Sequence, residues 1–95
     1  MSVYYIAQIK IEDSEEYQNY LNGFFSIFEK YNGEFLASSP DTEVVEGEWA
    51  YPRTALMKFE NEEDARAWYS SSEYQELTKH RHASAKSNLV LIHGI

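Results

Sequence analysis

The opening stretch of this chain limits its fold more than any other, because it reads as a strand with two apolar faces. From Val3 to Ile11 the residues alternate, with Val3, Tyr5, Ala7, Ile9 and Ile11 on one side. The other side, Tyr4, Ile6, Gln8 and Lys10, begins just as apolar. The C-terminal stretch repeats the feature, with Leu89 and Leu91 set against Val90 and Ile92. A sheet with one wet face alternates more cleanly than this. Any fold built on these strands must therefore cover both faces of its sheet.

The remaining segments say what can cover the first face. Asp13 followed by Glu16 is a capping-box pattern, and Tyr17, Tyr20, Leu21, Phe24, Ile27, Phe28 and Tyr31 then recur at helical spacing. Asn32-Gly33 stops that helix, with Gly33 expected in the left-handed conformation. Glu34 to Ala37 and Thr42 to Glu46 read as two pieces of one strand, broken at Ser38-Ser39-Pro40-Asp41 by a proline that cannot donate to a ladder. Gly47 to Pro52 is a turn carrying Trp49 and Tyr51, and Arg53 to Phe59 alternates again. Asn61 caps a second helix, with Glu62, Glu63 and Asp64 at its positive end. Ser70-Ser71-Ser72 interrupts this helix, and a second segment capped by Ser72 is expected to run to about Ser87. Leu89 to His93 closes the chain as a strand.

This order, βαββαβ, is the α+β ferredoxin-like arrangement: a four-stranded antiparallel sheet with two helices on one face. Two helices leave the second face bare. A second copy of the same sheet is the simplest cover, so a homodimer with sheets packed face to face is expected.

A chain of 95 residues forms a single domain, spanning 1–95 here, and one of this size has a marginal core unless a partner helps. There are no cysteines, so disulfides do not reinforce it, and a reducing cytoplasm is the expected compartment. No basic segment followed by an apolar stretch opens the chain, and no apolar run reaches the length of about 20 residues that spans a bilayer. The 16 acidic residues outnumber the 8 basic ones, for a formal charge of −8. Such a surface repels phosphate backbones and anionic lipid, which excludes nucleic acid and membranes as expected partners.

The chemistry concentrates in the second helical region. Ala65, Trp68 and Tyr69 share one helical face, and after the serine break so do Tyr74, Leu77, Arg81 and Ala85. Aromatics and a guanidinium where a plain core carries only aliphatics suggest a pocket wall. Arg53, at the start of a strand, and Arg81 suit a carboxylate or enolate, which matches the planar fork of arginine. The plainer reading pairs each with an acid such as Glu46 or Glu73. Trp68, Tyr69 and Tyr74 could line an aromatic site, with a phenol donating to an oxyanion; the plainer reading is core and interface packing. Trp49 is either a lid or a dimer anchor. Tyr17, Tyr20, Phe24 and Phe28 read as core.

His80 and His82 stand two residues apart on a helix, so they diverge by about 200° and cannot chelate one metal ion. Either could serve alone as an axial haem ligand, although each flanks the buried face and reads better as solvated. No metal site is expected. The acids from Glu60 to Asp64 are explained by capping, and neither a nucleophile elbow nor a glycine-rich phosphate loop is present.

These residues also carry a resemblance. Tyr17 and Tyr20, then Glu43-Val44-Val45-Glu46-Gly47-x-Trp49, Arg53, and the block Ala67-Trp68-Tyr69-x-Ser71-x-Glu73-Tyr74-Gln75 ending at Arg81 match a pattern over essentially the whole chain. The chain resembles domain-of-unknown-function family 1330, within the dimeric α/β-barrel superfamily. It departs from the family at Asn32-Gly33, at Ser38-Ser39-Pro40 and at Ser72, where a Gly-Gly pair, Arg-Gly-Gly-like residues and a proline are usual. The resemblance implies a homodimeric barrel with a cleft between sheet and helices in each subunit. Its superfamily relatives include cofactor-independent monooxygenases, haem-degrading enzymes, isomerases and members with no established activity.

The leading expectation is a homodimer that binds a small aromatic or acidic organic ligand in that cleft without a cofactor. Arg53, Trp68, Tyr69, Tyr74, Arg81 and Trp49 are the candidate ligand-binding residues. A cofactor-independent monooxygenase or isomerase is the first alternative, and needs a proton acceptor from Glu73, a tyrosine or a histidine. A non-catalytic dimeric interaction module is the second.

Overall fold

The alternating residues Val3–Ile11 form β1 in the computed structural model, which describes residues 1–95. Val3, Tyr5, Ala7 and Ile9 point inward and are buried. β1 lies inside a four-stranded antiparallel sheet, between β3 (Arg53–Phe59) and β4 (Ala85–His93). The edge strand β2 (Glu34–Ser39) pairs only with β3, and a bulge shifts its register between Phe35 and Ala37.

Three helices cover the inward face. Asp13 caps α1 (Ser14–Lys30), its carboxylate accepting from the Glu16 amide at 3.2 Å. Tyr17, Tyr20, Phe24 and Phe28 form the buried face of α1. Asn32, not Gly33, takes the left-handed turn after the helix, with φ at 63°. Asparagine tolerates that conformation. Gly33 is needed for space, since a Cβ there would lie 2.4 Å from the Phe28 ring.

The second helical layer is in two pieces, α2 (Glu62–Ser70) and α3 (Ser72–Ser84). The Ser71 hydroxyl joins them, donating to the Trp68 carbonyl at 2.8 Å and accepting from the Tyr74 amide at 3.2 Å. It therefore ends one helix and caps the next, where the sequence suggested Ser72.

Two boundaries depart from the sequence-based expectation. Thr42 to Glu46 is not a strand; residues 40–52 form a loop that closes on itself. Thr42 turns back onto Pro52 through its amide (2.8 Å) and its hydroxyl (2.7 Å), and Val45 is 93% exposed. Both edges of β3 are already taken by β2 and β1, so this segment cannot pair with β3. β4 starts at Ala85, four residues earlier than its apolar pattern implies. The amides of Glu12 and Asp13 both donate to the Ser84 carbonyl, at 2.7 and 3.0 Å, which captures it for the β1–α1 turn and ends α3 there. β1 then pairs with the residues that follow, Ile11 with Ala85 and Lys10 with Lys86.

The core lies between helices and sheet, where Val3, Phe28, Phe59, Trp68 and Tyr74 are almost wholly buried. The outer face of the sheet carries no helix, and the molecule is only 16 Å deep along its short axis. No helix is long and apolar enough to cross a membrane.

Candidate functional site

Strand register creates a hollow beneath α1. Ser38, Ala55, Ala7 and Leu89 stand in one cross-strand row on the inward face. The middle pair are alanines, flanked along β1 by Tyr5 and Ile9 and along β3 by Met57 and Arg53. A helix layer rides about 10 Å above a sheet, farther than two facing methyl groups can fill. What remains is a cavity of about 260 Å³. Tyr17, Tyr20 and Phe24 of α1 roof it, with Phe35, Met57 and Tyr74 around the inner end. Leu21, Phe25 and Ser38 also line it and are exposed, so its mouth opens between α1 and the edge strand β2.

Thirteen of the 16 lining residues are hydrophobic, and the others are Ser38, Arg53 and Arg81. The only charges facing the cavity are therefore two guanidinium groups. Ile9 sets their relation, being paired with Arg53 on one side and with Ser87 on the other. Arg81 reaches Ser87 from α3, its Nη1 donating to the hydroxyl at 3.1 Å. The two cations thus approach one end of the cavity, Arg53 from β3 and Arg81 from α3 beside β4, two strand spacings or about 10 Å from β3.

Arg81 is only 4% exposed, and its Nε is buried with no hydrogen-bond partner. Its Cζ lies 5.6 Å from the centroid of the Tyr20 ring, a cation–π contact. Neither Arg81 nor the half-buried Arg53 has a carboxylate within 4.0 Å; the ion pairs of the chain use other bases. Glu73, the acid suggested by sequence, is bound instead to Lys30 at 2.6 Å.

Three phenols share this space. The Tyr20 and Tyr74 hydroxyls are bonded to each other at 2.6 Å. Burial pushes Tyr20 well above the ordinary phenol pKa and raises Tyr74, whose shift the Arg81 charge partly opposes. Burial also raises Tyr17, against the pull of both Arg53 and Arg81. Both guanidinium groups therefore act on the Tyr17 phenol. At neutral pH all three phenols are protonated, and so serve as hydrogen-bond donors rather than bases.

Of the residues singled out from sequence, Arg53, Tyr74 and Arg81 meet at the cavity. Trp68 does not line it. That ring lies in the core behind Tyr74, with centroids 4.1 Å apart, and its Nε1 is buried without a partner. Tyr69 is 37% exposed and outside the cavity lining, with its ring centroid 5.8 Å from that of Tyr74. Trp49 is on the opposite face of the sheet, beside Ile6, Gln8 and Val90, with its Nε1 donating to the Thr54 hydroxyl at 2.9 Å. A lid over this cavity is thereby excluded for Trp49, because the sheet stands between them. Tyr17 and Tyr20, read from sequence as core, are cavity residues. The signal that could have found them is Ala7 and Ala55, the small residues in two otherwise bulky strand faces.

The histidines lie elsewhere. His80 ties α3 to α1 through Glu16 at 2.5 Å, His93 bonds Glu62 at 2.7 Å, and His82 is exposed. No three His, Cys, Asp or Glu side chains converge in a group that could hold a metal ion.

Comparison with known proteins supplies the context. The model of DUF1330, a domain of unknown function, matches residues 2–95. No curated protein matches the chain. A protein of unknown function from Rhodopseudomonas palustris has a similar structure, with a TM-score of 0.82 at 14% identity over 99% of this chain and 82% of its own. A dimeric ferredoxin-like protein of unknown function from Jannaschia sp. CCS1 gives 0.72 at 15%, over 99% and 100%. SnoaB, a cofactor-independent oxygenase from Streptomyces nogalater, gives 0.71 at 10%, over 99% and 93%. At these identities the likeness establishes the ferredoxin-like fold and nothing about activity.

Proposed function

The chain belongs to the DUF1330 family, whose function is unknown, and from that starting point we propose that it is a homodimeric binding protein for a small organic ligand with acidic or aromatic character. The ligand sits in the cavity between α1 and the sheet. Arg81 and Arg53 hold its anionic group, and Tyr74 contacts its body, supported from behind by Trp68 and Tyr69. Trp49 belongs to the dimer face. The cysteine-free chain is suited to work in the cytoplasm.

The observation that carries this reading is Arg81. A buried guanidinium without a counter-ion costs several kcal/mol. A chain with 16 acids could readily have placed one beside it, yet none is there. A ligand carboxylate or enolate supplies the missing charge. Binding is favoured over proton-transfer catalysis because no carboxylate or imidazole lines the cavity and its phenols are held protonated. The dimer rests on the bare outer face of the sheet, and a structural neighbour described as dimeric supports it.

Native mass spectrometry of gently purified protein tests both parts. The expected species is a dimer with a small-molecule adduct that is lost in Arg81→Met. Uptake unchanged in Arg81→Met, with stability raised, would show that the arginine serves no ligand.

A further inference from the structure

The cavity has enough character to narrow the ligand class. We infer that it takes a flat aryl monocarboxylate of one or two rings, with its carboxylate on Arg81 and Tyr17 and its ring over the Ala7–Ala55 floor. The inference rests on the reading of this cavity as a ligand site and adds charge, size and a third donor to it.

Charge comes first. Arg81 is the one fully desolvated cation, at 4% exposure, whereas Arg53 is half-buried and keeps contact with water. One uncompensated buried charge calls for one anionic group. A monoanion matches that single charge, whereas a phosphate dianion would leave its second negative charge to the half-buried, water-screened Arg53. A carboxylate fits the planar guanidinium fork, of which the protein uses only one N–H, on Nη1. The Tyr17 side chain, which lines the same cavity as both guanidinium groups, supplies the neutral third donor.

Size and shape follow from the walls. An engineered apolar cavity of about 150 Å³ accepts benzene. At about 260 Å³ this one has room for a second ring but not for a large cofactor. Its floor is a pleated sheet cut down to methyl groups, and its roof is the Tyr20 and Phe24 rings. Such a slot favours a flat aromatic body over a bulky or branched one.

Isothermal titration calorimetry with 2-naphthoate and its neutral isostere 2-naphthamide tests this on the wild-type protein. The acid is expected to bind about 30-fold tighter than the amide, the range of a charge-assisted hydrogen bond. Tyr17→Phe should weaken the acid by about 5-fold and the amide, whose carbonyl accepts a weaker bond, by less. Arg81→Met should remove most of the preference for the acid, leaving the few-fold that Tyr17 supplies, and because the wild-type comparison stands alone, the test survives if that variant misfolds. Equal binding of acid and amide to the wild type overturns the carboxylate assignment and leaves the ligand cavity standing. Tighter binding of 2-naphthyl phosphate than of 2-naphthoate overturns the monoanion. Binding of neither naphthyl probe overturns the inference outright. If Ala55→Leu, which fills the floor, then also fails to displace a co-purifying adduct, the reading of the cavity as a ligand site falls with it.

Discussion

Tyr5, Tyr17, Tyr20 and Tyr74 are all buried, and burial raises the pKa of each phenol above its ordinary value of 10.0. Below that pH both folded and unfolded chains hold these protons, so the tyrosines contribute no slope. As pH rises through about 10 the unfolded phenols ionise while the folded ones remain protonated. The unfolded state then binds fewer protons than the native one, and stability must fall with rising pH. Urea denaturation should therefore show a midpoint that declines above about pH 10. Tyr20→Phe, which removes the most strongly raised group, should lower stability at pH 8 by about 1 kcal/mol through loss of the bond to Tyr74. Its decline should nevertheless be shallower, so that the two curves converge in alkali; parallel curves would contradict the assignment. The same side chains show why the site was only half legible in sequence. Arg81 and Tyr74 stood out because a cation seven residues from an aromatic on one helical face is unlike a core. Tyr17 and Tyr20 did not, because an aromatic stripe on a helix looks the same over side chains or over a hollow. The hollow depends on Ala7 facing Ala55 across two strands, and that register is a tertiary fact.

The break between α2 and α3 shows a single hydroxyl fixing the path of two helices. Ser71 satisfies a carbonyl at the end of α2 and an amide at the start of α3, and in doing so brings Trp68 and Tyr74 into contact. Ser71→Ala removes both bonds and should cost about 1–2 kcal/mol, a fall in Tm of several degrees for a chain of this size. Ser71→Asp restores the acceptor for the Tyr74 amide and should recover part of the loss. Thermal unfolding of both variants checks this, and equal destabilisation would mean that the acceptor role is idle. The helices and β1, β3 were readable in sequence because local periodicity and caps specify them. The second half of the expected β2 failed because Ser38 and Ser39 already fill the β3 edge to Thr54, and the Thr42–Pro52 bonds close the segment into a loop. The first half of β4 was missed for the opposite reason: Lys86, Ser87 and Asn88 have no apolar signal and are strand only because β1 runs alongside them.

Considered as a whole, the protomer is a two-layer slab with one finished face and one unfinished one. Across the outer face, register aligns Leu56, Ile6 and Val90 in one row and Lys58, Tyr4 and Ile92 in the next. Val90 is 52% and Ile92 43% exposed in the single chain, and Leu36 adds to the patch from β2 at 43%. The row of Thr54, Gln8 and Asn88 bounds it on the polar side, and Trp49, held by Thr54, stands over that border. An aromatic ring pinned at the rim of an apolar sheet is the kind of group that dominates association energies. If two such faces meet, as proposed, a charge at the centre must be buried unpaired in the dimer while remaining harmless in the monomer. Val90→Lys should therefore convert the dimer to a folded monomer in sedimentation analysis, and Trp49→Ala should weaken the dimer without abolishing it. Linkage adds a second readout, because a native state that is dimeric gains stability with protein concentration. The Tm of the wild type should rise with concentration, and that of Val90→Lys should not. A Val90→Lys protein that remains dimeric would move the interface away from the sheet and leave the apolar rows to be covered by something other than a second copy.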